Sequence, residues 1–397
     1  MSLYRTAQNL PALPPELYRN IINWITDRQD LCSLSLVSRV FSAEAQRALY
    51  SVVDLAQNTR APVLWADTIL RHPQKALAVR ALTLRLDLTF IIVPDLLLSS
   101  LQSIAQALRA LQRLSKLVLV GHPLAMMHPI HTWILDGCTA NLRTFHNSLF
   151  PLWAVIPFLS RHLQIREWKQ AGKFIRGIIT DETLPHLTTI DVHISSLASF
   201  PTPRSLTKIR LEISNWSGIT AGKLEALSRF GPTLTTLVVE DSSTTDHFEL
   251  AKFLARLANL AKAIPNLKTL AYTKASILSA QDILSSSSIE NLSKFEALET
   301  LVLGLRRLNL CFDNHLVKAV AEHAFNRCPS LRCVALKDER STYLCRRQGS
   351  CITKDDVDAL FSDASESDPT RTQESVCPSR KPKYPKHNRL TSHSGHV

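Results

Sequence analysis

A glycine-rich turn ending in lysine and a hydroxyl residue can wrap a phosphate and hold its magnesium ion, and Gly218-Ile-Thr-Ala-Gly222-Lys223-Leu224 comes near that arrangement. It is one residue short and ends in Leu224 where the metal-binding hydroxyl belongs, so it does not qualify. Cysteine and histidine in close pairs can grip zinc. Cys328 and Cys333 with His323, and Cys345 with Cys351, are spaced too widely for two-residue hooks, and no second hook follows. A nucleophilic cysteine needs a base beside it, and fourteen His among eight Cys make chance pairs easy to find. Cys138 and Cys328 read instead as small buried hydrophobes at turns. No metalloprotease, serine-hydrolase or kinase signature occurs. The sequence therefore predicts no catalytic residue, no metal site and no cofactor.

What remains is binding chemistry, and charge is unevenly placed. Residues 55–180 hold fourteen basic residues against five acidic ones, a net +9 out of +12 for the whole chain. Such a field attracts acidic partners or polyanions, and nucleic-acid binding by this segment is the alternative reading of the function. The composition, 45% hydrophobic and 20% charged over 397 residues, supplies a large core, while 10 Gly leave little material for nucleotide loops. The opening residues lack the apolar core of a secretory signal, and no run is long enough to cross a bilayer. The expected compartment is cytoplasm or nucleus, with the cysteines as thiols.

The elements that must position any binding surface begin with a short helical module, residues 1–54. Pro14, Pro15 and Glu16 suit a helix start, and Leu17, Ile21 and Ile25 recur every four residues as one apolar stripe. Asp30 is the expected cap of a second helix carrying Leu31, Leu34 and Val37, and Ser38 caps a third carrying Phe41, Ala45, Ala48 and Leu49. Three such helices bury little alone and need a neighbour, either the domain that follows or another protein.

The order Leu13-Pro14-x-Glu16-Leu17, Ile21, Ile25, Asp30-Leu31-x-x-Leu34, Leu36-Val37-Ser38-Arg39-x-Phe41, Leu49-Tyr50 resembles an F-box. Phe41 stands where many members carry Trp. The resemblance covers about a tenth of the chain. It implies a three-helix unit that docks on the Skp-type linker subunit of SCF ubiquitin ligases, and through it on cullin and RING subunits, while the rest of the chain captures a protein substrate. Carried over position by position, Leu13, Pro14, Leu17, Ile21, Leu31, Leu34, Val37 and Phe41 build or contact that interface.

From residue 79 a pattern, apolar-x-x-apolar-x-apolar, recurs nine times, starting at Val79, Leu114, Leu142, Leu187, Leu206, Leu234, Leu267, Leu298 and Leu331. Its second half has the period of a strand with one face buried, and helical patterns such as Glu249–Ala263 and Asp313–Arg327 lie between copies. Units of this kind bury their apolar faces by stacking. The array resembles an irregular set of leucine-rich repeats, lacking most of the Asn or Cys ladder. The predicted fold is an α/β solenoid over residues 55–361, with an insertion between Phe150 and Leu187. A doubly wound open sheet is the competing architecture.

In a solenoid, the residues between the buried strand positions line one open face. Substrate capture is expected there, on Arg85, His146, Asp191, His193, Arg210, Glu212, Glu240 and Lys337, within a set that also holds Thr83, Ala271 and Val302. Arg161, Arg166, Lys169, Lys173 and Arg176 would make the expected insertion basic. Residues 362–397, polar and with Arg380-Lys381-Pro382-Lys383, read as a disordered basic tail.

Overall fold

The structure is a computed structural model. It describes residues 13–58, 60–86, 94–121, 129–171, 177–214, 225–242, 254–255, 258–259, 261–274, 290–305, 314–337 and 342–347. The phosphate-loop look-alike, Lys173, Arg176, Asp313, Cys351, most of Glu249–Ala263 and the tail lie outside them.

Three helices open the chain: α1 (Pro15–Asn23), α2 (Arg28–Leu34) and α3 (Arg39–Ser51). Ser38 caps α3 by accepting the Phe41 amide at 3.3 Å. The cap of α2 is Asp27, not Asp30: its carboxylate accepts the Gln29 amide at 2.6 Å, and Asp30 lies in the first turn, where the helix end also favours an acid. α3 then runs without a loop into β1 (Val52–Leu55), the first strand of the sheet.

The sheet has twelve strands in strict chain order: β1, β2 (Ala81–Arg85), β3 (Lys116–Val120), β4 (Thr144–Asn147), β5 (Glu167–Gln170), β6 (Thr189–His193), β7 (Lys208–Ile213), β8 (Thr236–Asp241), β9 (Thr269–Lys274), β10 (Thr300–Leu305), β11 (Cys333–Lys337) and β12 (Thr342–Arg346). β1 to β11 are parallel and β12 returns antiparallel. A doubly wound sheet reverses strand order at a switch point. Here the order never reverses, which removes that architecture and leaves an α/β solenoid.

One hydrogen-bond motif sets the stacking. The residue just before each of β2 to β10 gives its carbonyl to two successive amides of the next unit: Arg80 O accepts from Ser115 (2.8 Å) and Lys116 (3.0 Å), and Ser115 O from Arg143 (2.7 Å) and Thr144 (3.0 Å). The same pair of bonds recurs down to Glu299 O, which accepts from Arg332 and Cys333. The carbonyls are thereby satisfied at the crowded strand entry. Side chains reinforce them: Ser115, Thr188, Thr207 and Thr235 each donate a hydroxyl to the equivalent carbonyl one unit back.

All nine patterned segments are strands. The expected insertion between Phe150 and Leu187 is instead an ordinary unit, α7 (Leu152–Arg161) followed by β5. Its copy, Ile165-Arg-Glu-Trp168-Lys-Gln170, begins 23 residues after Leu142 and 22 before Leu187. A glutamine fills its last apolar slot because the preceding strand ends in Asn147, and the two buried amides satisfy each other. Asn147 Nδ2 donates to Gln170 Oε1 (2.9 Å) and to Phe150 O (2.8 Å), while Asn147 Oδ1 accepts the amides of Leu149 and Phe150. Gln170 Nε2 also reaches Phe150 O.

The inward positions form one continuous core from Val53 to Leu336, against which α4 (Ala61–Arg71), the short α5 (Pro73–Ala76), α6 (Pro94–Ala110), α7 and α8 (Asn314–Arg327) pack. Aromatic rings link successive units: Phe145 meets Phe158 at 4.9 Å, and Phe200 lies 6.0 Å from both Trp168 and Phe230. Among the described residues, no helix is long and apolar enough to cross a membrane.

Two stability predictions follow from buried polar groups. Asn147→Ala leaves the amides of Leu149 and Phe150 and the Gln170 side chain short of partners, and should cost about 2 to 3 kcal/mol, read as a lower urea midpoint. His162 is 6% exposed, its Nδ1 on Ala140 O at 3.1 Å, its Nε2 buried without a partner among the described residues. Burial holds its imidazole below the ordinary range, outweighing the pull of the Ala140 carbonyl. The unfolded chain then takes up the proton first, so stability falls as pH drops below about 6.5 toward the lower folded value. The urea midpoint of His162→Gln should fall less between pH 7.5 and 5.5 than that of the wild type.

Candidate functional site

Two surfaces carry unusual chemistry, and the first is apolar. Among the described residues, the helical module has a core of three buried side chains, Ile22, Leu31 and Ala45, with Ile25, Leu34, Phe41, Ala48 and Leu49 packed around them. Tyr18 meets Phe41 edge-to-face at 4.8 Å. α1 is apolar on two sides. Tyr18 and Ile22 turn inward, so of the stripe read from the sequence Leu17 and Ile21 face solvent, with Leu13 exposed before them, while Ile25 is half-buried against the core. Trp24 and Leu36, each 87% exposed, and Val37 and Val40 extend the uncovered apolar set.

Of the eight residues expected at a partner interface, Leu13, Pro14, Leu17, Ile21 and Val37 are exposed. Leu31 is not: it is buried in the module's own core, and Leu34 and Phe41 are half-buried against that core. The helices need these three to cohere, so they support the surface rather than form it. Trp24 was not singled out in the sequence because it stands off the four-residue stripe of Leu17, Ile21 and Ile25.

The second surface is the open face of the sheet. Its middle row runs in register through His146, Lys169, Asp191, Arg210 and Val238 on β4 to β8. These charges are coupled. Lys169 Nζ lies 2.7 Å from Asp191 Oδ2, Arg210 Nε stands 3.8 Å from the same oxygen, and the Arg210 guanidinium also bonds Glu240. His146 Nε2 meets Glu167 Oε1 at 3.3 Å. On the row beyond, His193 bonds the hydroxyls of Ser195 (2.7 Å) and Ser214 (3.1 Å). Glu212, Arg85 and Lys337 are half-buried on the same face, the Arg85 guanidinium reaching Ala56 O at 3.5 Å. The structure therefore brings His146, Asp191, Arg210 and Glu240 into one patch with Lys169. Arg85 and Lys337 stand far along the array, on β2 and β11. Thr83, Ala271 and Val302, expected on the open surface, are closed to solvent.

The row nearest the strand starts holds Thr144, Glu167, Thr189, Lys208, Thr236, Thr269 and Thr300 on β4 to β10. Thr144 donates to Glu167 Oε2 at 3.4 Å. Lys208 is half-buried and its ammonium makes no hydrogen bond or ion pair with a described residue. Burial pushes its ammonium below the ordinary lysine range, against the opposing Glu167 and Asp191 carboxylates and with Arg210 adding to the depression.

The basic segment is not one cationic stripe. Arg71 pairs with Asp67 at 2.5 Å, Arg161 with Asp136 at 2.9 Å, and Lys169 with Asp191. Among the cysteines, burial raises the thiols of Cys138 and Cys345 and pushes Cys333 up to about 11, so these three stay protonated at neutral pH. Among the described residues, no three metal-ligating side chains come together.

No family model and no curated protein matches the chain. Among solved structures it is similar to the leucine-rich repeat-containing protein LegL7 from Legionella pneumophila, at 16% identity, with 80% of this chain and 97% of that one covered and a TM-score of 0.44.

The inward and outward faces of α1 can be separated by experiment. Ile22→Asp places a charge in the three-residue core and should melt the module, exposing Arg28, Arg39 and Arg47 to brief trypsin treatment while the sheet resists. Ile21→Asp should leave the digestion pattern as in the wild type.

Proposed function

We propose that the chain is a non-catalytic substrate adaptor of an SCF-type ubiquitin ligase. The helical module docks on the Skp-type linker subunit, and through it on cullin and RING subunits, while the solenoid holds a protein target for ubiquitin transfer by partner enzymes. The observation that carries this reading is the uncovered apolar set, Leu13, Leu17, Ile21, Trp24, Leu36, Val37 and Val40, on a module with three buried core residues among those described. A monomer gains nothing by displaying so much apolar surface in so small a unit. Covering one Leu or Ile side chain stabilises by about 1.5 to 3 kcal/mol, before the costs of association. The F-box resemblance supplies the partner's identity.

The polyanion alternative draws less support. Within residues 55–180, on which it rests, Arg71, Arg161 and Lys169 are each held by a carboxylate of the chain itself.

Co-purification with a Skp-type linker tests the proposal. Ile21→Asp and Val37→Asp should each remove the linker from the complex with no change in thermal midpoint, because a charge is forced into a dry interface but no core contact is lost. Leu34→Asp should lose the linker and lower the midpoint together. Wild-type chain that fails to retain the linker, or Ile21→Asp that retains it fully, ends the reading.

A further inference from the structure

Two neighbouring columns of threonine differ in what their hydroxyls do. Thr188, Thr207 and Thr235, just before their strands, donate to backbone carbonyls one unit back. Thr189, Thr236, Thr269 and Thr300, one residue later and facing the open side, bond no described residue through their hydroxyls. Lys208 stands in the same lane, with Thr189 and Thr236 as its direct register partners. The nearby carboxylates are already engaged, Asp191 by Lys169 and Glu167 by His146 and Thr144. Lys208 is thus a partly desolvated cation in direct ion pair with no described carboxylate, flanked by hydroxyls that bond no described residue, while the charges in the row beside it satisfy one another.

We propose that this lane across β6 to β10 receives an extended segment of the target protein, with an anionic side chain seated on Lys208 between Thr189 and Thr236. The inference rests on the adaptor reading and names the class of target. Strands lie about 4.8 Å apart, so five of them span roughly 19 Å, the length of about six extended residues. Threonine hydroxyls donate to and accept from the segment's backbone, and the ammonium pairs with a carboxylate or a phosphate. The charge therefore falls toward one end of the segment, because Lys208 is on the second of the five strands.

The probe is a fluorescein-labelled hexapeptide library with glutamate, phosphoserine or glutamine fixed at each position in turn, read by polarisation on the full chain. Anionic pools fixed near one end should bind best, with glutamine pools at least about tenfold weaker. Preference for phosphoserine over glutamate marks a modified target, and equal binding marks an acidic one. Lys208→Met should erase the preference, Lys208→Arg restore part of it, and Thr236→Val weaken binding several-fold. Lys268→Met, just before β9 and paired with Glu299, should change nothing. No binding by any pool, or a preference that survives Lys208→Met, overturns the inference. Ile21→Asp separates the two ideas: it should lose the linker and keep the peptide.

Discussion

A single carbonyl with two amide donors, repeated from one unit to the next, fixes this molecule. Arg80, Ser115, Arg143, Arg166, Thr188, Thr207, Thr235, Lys268 and Glu299 all offer their oxygen in this way. The paired bond sets where each strand starts relative to its neighbour. A one-residue slip would exchange the inward and outward sets, and Leu237 or Ile209 would face water. With the register fixed, the rows of the open face follow, and so does the chain of paired charges from Lys169 to Glu240.

The helical module obeys a different constraint. It is too small to hide all of its apolar residues, so it hides those that hold three helices together and leaves the others outside. Its attachment is firm. Arg28 reaches the carbonyls of Leu49 and Val52, and Lys75 lies over the Tyr50 ring while bonding its hydroxyl at 3.0 Å. α3 passes directly into β1, so the module continues the sheet rather than hanging from a tether. An apolar surface mounted this way is presented in a fixed orientation relative to the strands.

Much of this was legible from residue pattern alone. Apolar-x-x-apolar-x-apolar marks a strand because its last two apolar residues share one face, and all nine copies were strands. β5 escaped because Gln170 breaks the pattern, and only the facing Asn147 makes a buried glutamine tolerable. No single-segment reading contains that pairing. β1 escaped because Tyr50, Val53 and Leu55 sit inside a stretch that also reads as the end of a helix, and β12 because an antiparallel return need not copy the repeat. On α1, periodicity found a stripe but could not say which side was inside, since Leu17 and Ile21 and Tyr18 and Ile22 both recur at four. The uncommitted threonines were invisible in another way: Thr188 and Thr189 are the same residue type, and only the neighbouring strand distinguishes them.

β12 carries a lesson about how such a chain can lengthen. The strand that follows β11 runs backward along it, with Val334 opposite Cys345 and Leu336 opposite Tyr343. It gives the next position in line a reversed edge whose carbonyls no longer stand where a parallel newcomer's amides would look for them. A parallel unit placed against β12 would meet this reversed edge, whereas one inserted between β1 and β11 would meet the same parallel seat that each neighbouring strand already uses.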